Sequence, residues 1–152
     1  MIPEAIGCFK TIGERWYLSQ AYAYSAIAER GVGNRPQARR HAITALRTSL
    51  EIRSWLITLF SLWAIALLIA DSGEPGRAAE LYALTERELA PHDDAWSKAV
   101  ARRELSMIAA ALPADVAVAA QERAQAHDLW TTAQELLAEL EAAGWGTDQL
   151  ET

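Results

Sequence analysis

The feature that most narrows the folds open to this chain is an internal echo at a spacing of forty residues. Ala26, Gly33, Asn34, Ala38, Ala42 and Ala45 align with Ala66, Gly73, Glu74, Ala78, Tyr82 and Thr85. Each copy reads as one helix, a sharp turn at glycine, and a second helix beginning within a few residues. Glycine permits the backbone that a tight helix exit needs, and a small residue on each helix lets the two axes approach. An earlier half-copy, Ala5, Phe9 and Ile12, has the spacing of Ala38, Ala42 and Ala45. Helix pairs repeated in tandem bury their apolar faces by stacking on one another.

The remainder of the chain agrees with an all-α fold. Ala, Leu, Glu, Arg and Gln dominate, and no stretch keeps the two-residue alternation of a strand. Stop and cap residues at 31–34, 71–73, 91–94, 112–113, 127–128 and 144 predict helices over 3–12, 14–30, 35–50, 52–71, 75–90, 94–111, 113–126 and 128–143. Pro36, Pro75 and Pro113 fall in first turns, where a missing N–H costs least. The expected organisation is a single helical-repeat domain over 1–152: a half repeat at 1–12, repeats at 13–51 and 52–91, and C-terminal capping helices at 92–152. Because the chain opens inside the second helix of a pair, it reads as a fragment of something longer.

Composition enters mainly by exclusion. With 152 residues, 51% hydrophobic and 22% charged, the chain is neither disordered, collagenous nor a disulfide scaffold. The lone Cys8 cannot form an internal disulfide and fits a reducing compartment. The net charge of −6 is unevenly spread. Residues 1–55 hold eight Lys or Arg against four Asp or Glu, whereas residues 56–152 hold six against sixteen. Such asymmetry steers a partner or favours contact between copies, while the acidic total argues against nucleic acid. Met1-Ile2-Pro3-Glu4 does not begin a secretory signal, so a cytoplasmic location is expected. The run Trp55–Ala70, with only Thr58 and Ser61 polar and with Arg53 and Asp71 at its ends, is shorter than the roughly 20 residues a membrane span takes. It reads as a helix buried inside protein.

Taken together, Ala26/Gly33/Asn34/Ala38 and Ala66/Gly73/Glu74/Ala78/Tyr82 resemble the tetratricopeptide repeat. Ile12-Gly13-Glu14-Arg15-Trp16 and Arg77-Ala78-Ala79-Glu80-Leu81-Tyr82 look like the repeats of large bacterial transcription regulators of the maltose-regulator-like group, in which a signal-transduction ATPase precedes a helical sensor region. Leu112-Pro113-Ala114-Asp115, Ala119–Arg123 and Leu136–Leu140 are similar to the closing helices of such chains. The departures are a repeat of forty residues instead of about 34, the missing proline after the second helix, and Ser25 and Glu29 where bulky apolar residues are usual. The resemblance implies antiparallel helix pairs stacked as a right-handed superhelix, with Ala26, Ala38, Ala66 and Ala78 at close contacts. The alternative is a closed bundle whose last two helices fold back. It also implies a partner or ligand groove at Trp16, Gln20, Ile27, Arg30, Phe60, Trp63 and Leu67. The apolar helix 52–71 then needs cover, expected from 94–111 with residual self-association.

Reactive motifs are sparse. His41, His92 and His127 stand far apart, with no ligand set at metal spacing, so neither a metal nor a cofactor is expected. Gly31-Val32-Gly33 follows a helix and reads as a turn, Cys8 as a buried thiol, and Asp93-Asp94 as a helix cap. There is no GxxxxGK[ST] loop, GxSxG elbow or helix-turn-helix. Arg35, Arg39 and Arg40, with Arg47 further along, form a basic helix face that could take an anion or pair with neighbouring acids. The expected function is a non-enzymatic protein-binding or ligand-sensing module of a bacterial transcriptional or signalling regulator. Its partner would be a protein, peptide, small ligand or second copy, with neither direct nucleic-acid nor membrane binding. The alternatives are a free-standing helical scaffold and a small-molecule enzyme with dispersed acid and base residues.

Overall fold

Helices recur at half the spacing of the sequence echo. The structure, a computed structural model, describes residues 14–92 and 100–146. Among these residues it contains seven helices and no strand: α1 (Arg15–Gly31), α2 (Arg35–Glu51), α3 (Trp55–Asp71), α4 (Pro75–Leu89), α5 (Val100–Ala110), α6 (Ala114–Gln125) and α7 (Leu129–Ala142). The chain is all-α, as expected. The half repeat at 1–12, Cys8 and Asp93-Asp94 lie outside the described residues.

The first four helices begin at 15, 35, 55 and 75, a period of twenty. One turn geometry sets it. The N–H of Asn34 donates to the Glu29 carbonyl (2.9 Å) and that of Gly33 to Arg30 (3.0 Å). Twenty residues on, Ser54 donates to Ser49 (2.9 Å) and Arg53 to Leu50 (3.2 Å); after another twenty, Glu74 donates to Ile69 (3.2 Å) and Gly73 to Ala70 (3.0 Å). These are Schellman exits, in which one left-handed residue lets two amides satisfy the last carbonyls of the helix. The left-handed residues are Gly33 (φ 86°), Arg53 (φ 54°) and Gly73 (φ 93°). The next helix is then capped at once: Asn34 Oδ1 accepts from the Gln37 amide (3.4 Å) and Ser54 Oγ from Ile57 (3.3 Å). Arg53 and Ser54 explain why α3 begins at Trp55, three residues later than the sequence suggested.

The described residues divide into two compact units, one of 14–61 with 134–146 and the other of 62–92 with 100–133. In the first, α1 and α2 pack antiparallel. Arg15 meets Glu51 (2.8 Å), the Ser19 hydroxyl donates to the Ala45 carbonyl (2.9 Å), and the Tyr22 ring lies 5.4 Å from that of His41. Ala23, Ala26, Ala38, Ala42 and Ala45 are buried along these two helices. The end of α7 returns to α2: Arg47 Nε donates to Glu141 (3.1 Å), and Arg39 sits over the Trp145 ring at 5.3 Å. A fold-back contact is therefore present, but it falls on α2.

Ile57, Leu59, Phe60 and every residue from Leu62 to Ile69 on α3 are buried, as are its two hydroxyls. Thr58 and Ser61 turn those hydroxyls onto the carbonyls of Ser54 (2.7 Å) and Ile57 (2.8 Å), so neither needs water. No helix among the described residues is long and apolar enough to cross a membrane. In the second unit α4 runs antiparallel to α5, because Glu86 pairs with Arg102 and Tyr82 bonds Ser106. It runs parallel to α6: Gly76 faces Val116 near both starts, and Arg87 reaches Ala124 near both ends.

Candidate functional site

The arrangement of α4, α5 and α6 leaves a cleft of about 790 Å³. Alanines form most of its walls: Ala79 and Ala83 on α4, Ala109 and Ala110 at the end of α5, and Ala117, Ala120 and Ala124 on α6. The helical intervals between 79 and 83, and among 117, 120 and 124, put each set on one face. Ala79, Ala120 and Ala124 are buried where the helices meet, while Ala83 and Ala117 are half-buried. Tyr82, Glu86, Arg87, Gln121 and Gln125 complete the lining.

Its charged members already have partners. Glu86 takes a two-pronged contact from Arg102, Nε to Oε2 at 2.7 Å and Nη2 to Oε1 at 2.9 Å. Arg87 Nη1 donates to the Ala124 carbonyl at 2.7 Å, satisfying the end of α6. Beside the cleft Arg123 pairs with Glu80 at 2.9 Å. Burial raises the pKa of the Tyr82 phenol above its ordinary value, with Glu86 adding to the rise and the Ser106 hydrogen bond opposing it. Tyr82 therefore stays protonated at neutral pH. These contacts pin α5 and α6 to α4 while leaving the alanine walls open; the result suits holding an uncharged or weakly polar group.

The groove positions read from the sequence differ in burial. Phe60, Trp63 and Leu67 are buried. Phe60 stacks on Tyr24 of α1 at 5.8 Å, and Trp63 Nε1 donates to Thr85 Oγ1 of α4 at 3.0 Å, so α1 helps to cover Phe60 and α4 helps to cover Trp63. These three residues belong to the core, whereas Trp16, Gln20, Ile27 and Arg30 are half-buried on α1. Trp16 lies edge-on to Tyr17 at 5.0 Å, and Gln20 Nε2 donates to the Tyr24 hydroxyl at 3.5 Å.

The basic face of α2 is largely engaged. Arg39 lies over Trp145, Arg40 donates through Nε to Gln37 Oε1 at 3.0 Å, and Arg47 pairs with Glu141, whereas Arg35 is exposed. Gln37 Oε1 is thus occupied, and its amide nitrogen faces His41 Nε2 at 2.9 Å. His41 Nε2 must accept there, which places its proton on Nδ1, an atom buried without a hydrogen-bond partner among the described residues. Burial lowers the His41 pKa, with Glu29 opposing and Arg40 reinforcing. At the start of α7, Asp128 Oδ2 accepts from the Thr131 amide at 2.9 Å, and this hydrogen bond leads in holding its carboxyl below the usual range. No group of three or more His, Cys, Asp or Glu among the described residues could hold a metal ion.

The cleft residues Tyr82, Ala83, Glu86, Gln121 and Gln125 were not singled out from the sequence. A signal existed in the alanine intervals on α4 and α6, yet alanine at those intervals also marks close helix packing, and only the positions of the axes separate the two. Comparison with protein families, curated proteins and solved structures found no match to this chain.

Proposed function

We propose that the chain is a non-enzymatic helical-repeat module that holds a peptide segment or small ligand in the α4–α6 cleft. It would serve in the cytoplasm as the sensor or partner-docking part of a bacterial transcriptional or signalling regulator. The observation that carries the binding reading is the alanine-walled cleft of about 790 Å³, a volume within the range of ligand pockets, whose charged lining residues are each hydrogen-bonded within the unit. A binding role is favoured over catalysis because Glu86 is tied to Arg102 on both oxygens and the Tyr82 phenol is held protonated. The regulator assignment and right-handed superhelical stacking rest on the tetratricopeptide-like motifs, supported by the twenty-residue period of helix starts.

Selection of displayed peptides and a fragment library against the immobilised chain tests this reading, with amide-shift mapping of each hit. A hit that shifts Ala83, Ala117 and Gln121, and that loses affinity for a folded Ala83→Leu variant, supports it. Hits indifferent to Ala83→Leu, or no hits in either library, refute the cleft as a binding site.

A further inference from the structure

Arginine offers hydrogen-bond donors and no acceptor, and on α2 that one-sidedness fixes the proton of a neighbouring histidine. Arg40 donates through Nε (3.0 Å) and through Nη2 to Gln37 Oε1. The Gln37 carbonyl therefore faces Arg40, and its NH2 group is turned to His41 Nε2 at 2.9 Å. Nε2 must accept, so the single proton of neutral His41 sits on Nδ1. Nδ1 is buried and has no hydrogen-bond partner among the described residues. A buried donor left unmatched is rare in folded proteins and needs a reason. The reason is that two neighbours contest one carboxamide. As it stands, Gln37 serves Arg40 and leaves His41 with the unmatched donor. Turned over, its oxygen would accept from a proton-bearing Nε2 and be withdrawn from Arg40.

Few groups bear on the choice between these two orientations. From α1, the Tyr22 ring lies 5.4 Å from the imidazole, and the Glu29 carboxylate favours a charged His41. From α2 itself the Arg40 charge disfavours it. The end of α7 meets α2 elsewhere, through Trp145 against Arg39 and Glu141 against Arg47. Burial leads, and with Arg40 it outweighs Glu29, so His41 takes its second proton only below its ordinary pKa of 6.5. Once that proton arrives, both ring nitrogens carry N–H. Nε2–H then points at the Gln37 NH2 group, donor against donor, and the orientation that serves Arg40 is no longer tenable.

We propose that His41, Gln37 and Arg40 form a proton-driven switch: the second proton on His41 turns the Gln37 carboxamide over, and Arg40 loses Gln37 as its acceptor. The charge change is local, and the bistable element is one amide with two unlike ends. Its output is an α2 cation whose acceptor differs between neutral and acid pH. All three residues lie on α2, in the first compact unit, so the switch stands or falls independently of the α4–α6 cleft.

The test is an NMR pH titration of the whole isotope-labelled chain, from about pH 8 down to about pH 4.5, a range that spans the histidine titration. It follows the two ring nitrogens of His41, the Gln37 NH2 group and the Arg40 Nε–H. At the neutral end the proton is expected on Nδ1, with Nε2 bare. As pH falls, the Gln37 and Arg40 signals should shift with the same midpoint as the His41 ring. Arg40→Met removes the hold on the Gln37 carbonyl, so in a folded variant the proton of neutral His41 should move from Nδ1 to Nε2. The loss of a nearby charge would alter the midpoint without requiring that change of tautomer. Three results would each overturn the proposal: neutral His41 protonated on Nε2 in the native chain, Gln37 and Arg40 signals that do not follow His41, or a folded Arg40→Met chain that keeps its proton on Nδ1.

Discussion

The α1–α2 hairpin and the α4–α6 cluster use the same small residue to opposite effect. In the hairpin, Ala26, Ala38, Ala42 and Ala45 are buried, as are Leu18, Ile43 and Leu46, so short side chains permit close approach and long ones pack along with them. On α5 and α6 the buried apolar residues are Ala101, Leu105, Ala120 and Ala124, with Leu105 the one long side chain among them. There Arg102 meets Glu86 and the Arg87 guanidinium meets the Ala124 carbonyl beside the cleft, and Ala83 and Ala117 are only half-buried. An alanine face therefore closes an interface where long side chains pack beside it. It borders a cleft where few do.

The largest effect expected bears on the packed side of that contrast. Trp63→Ala removes a side chain 2% exposed together with its hydrogen bond to Thr85, and should cost about 3–5 kcal/mol in denaturant unfolding. A loss below about 1 kcal/mol would show that α3 is not packed as described. The sharpest comparison comes next. Ala38→Leu, at a position with no exposed surface, should overpack the hairpin and cost about 1–3 kcal/mol, whereas Ala83→Leu projects into the cleft and should be close to neutral. Equal costs for the two substitutions would break the distinction between closed and open alanine faces.

A smaller effect concerns the turns. Arg53 occupies the left-handed position that Gly33 and Gly73 fill elsewhere, so Arg53→Gly should stabilise the protein by up to about 1 kcal/mol, while Gly73→Ala should destabilise it by a similar amount. Thermal unfolding of both variants checks the sign of each. The smallest effect is a slope. Because burial lowers the His41 pKa in the folded state, the unfolded chain binds the proton more readily. His41's contribution is whole above its unfolded value of about 6.5 and declines as pH falls through the window between that value and the lowered folded one. His41→Gln should flatten stability against pH in that window, and an unchanged slope would show that His41 is not the group responsible.

Much of the local structure was legible in advance because its causes are local. Gly33 and Gly73 announce left-handed exits, Asn34 and Asp128 cap, and Pro36, Pro75 and Pro113 open helices, since each acts on the backbone within a few residues of itself. The turn at Arg53 was concealed because arginine carries no preference for positive φ; the twenty-residue midpoint between Gly33 and Gly73 was the only clue. The apolar run of α3 also declared its burial, although not which helices would cover it.

The candidate sites were much less visible. Phe60, Trp63 and Leu67 have the spacing of a groove floor and of a core alike, and their burial depends on contacts such as Tyr24 and Thr85, which are distant in sequence. The basic face of α2 is similar: whether Arg39 meets an anion or Trp145 depends on where the end of α7 returns. Sequence alone determined an all-helical chain and the places where most of its helices stop and start, through backbone preferences and hydrophobic patterning that operate over a turn or two. Tertiary structure alone decided that Ala83 and Ala117 line a cleft and that Trp63 meets Thr85. Both are properties of the distance between helix axes, and that distance is set by side chains tens of residues away.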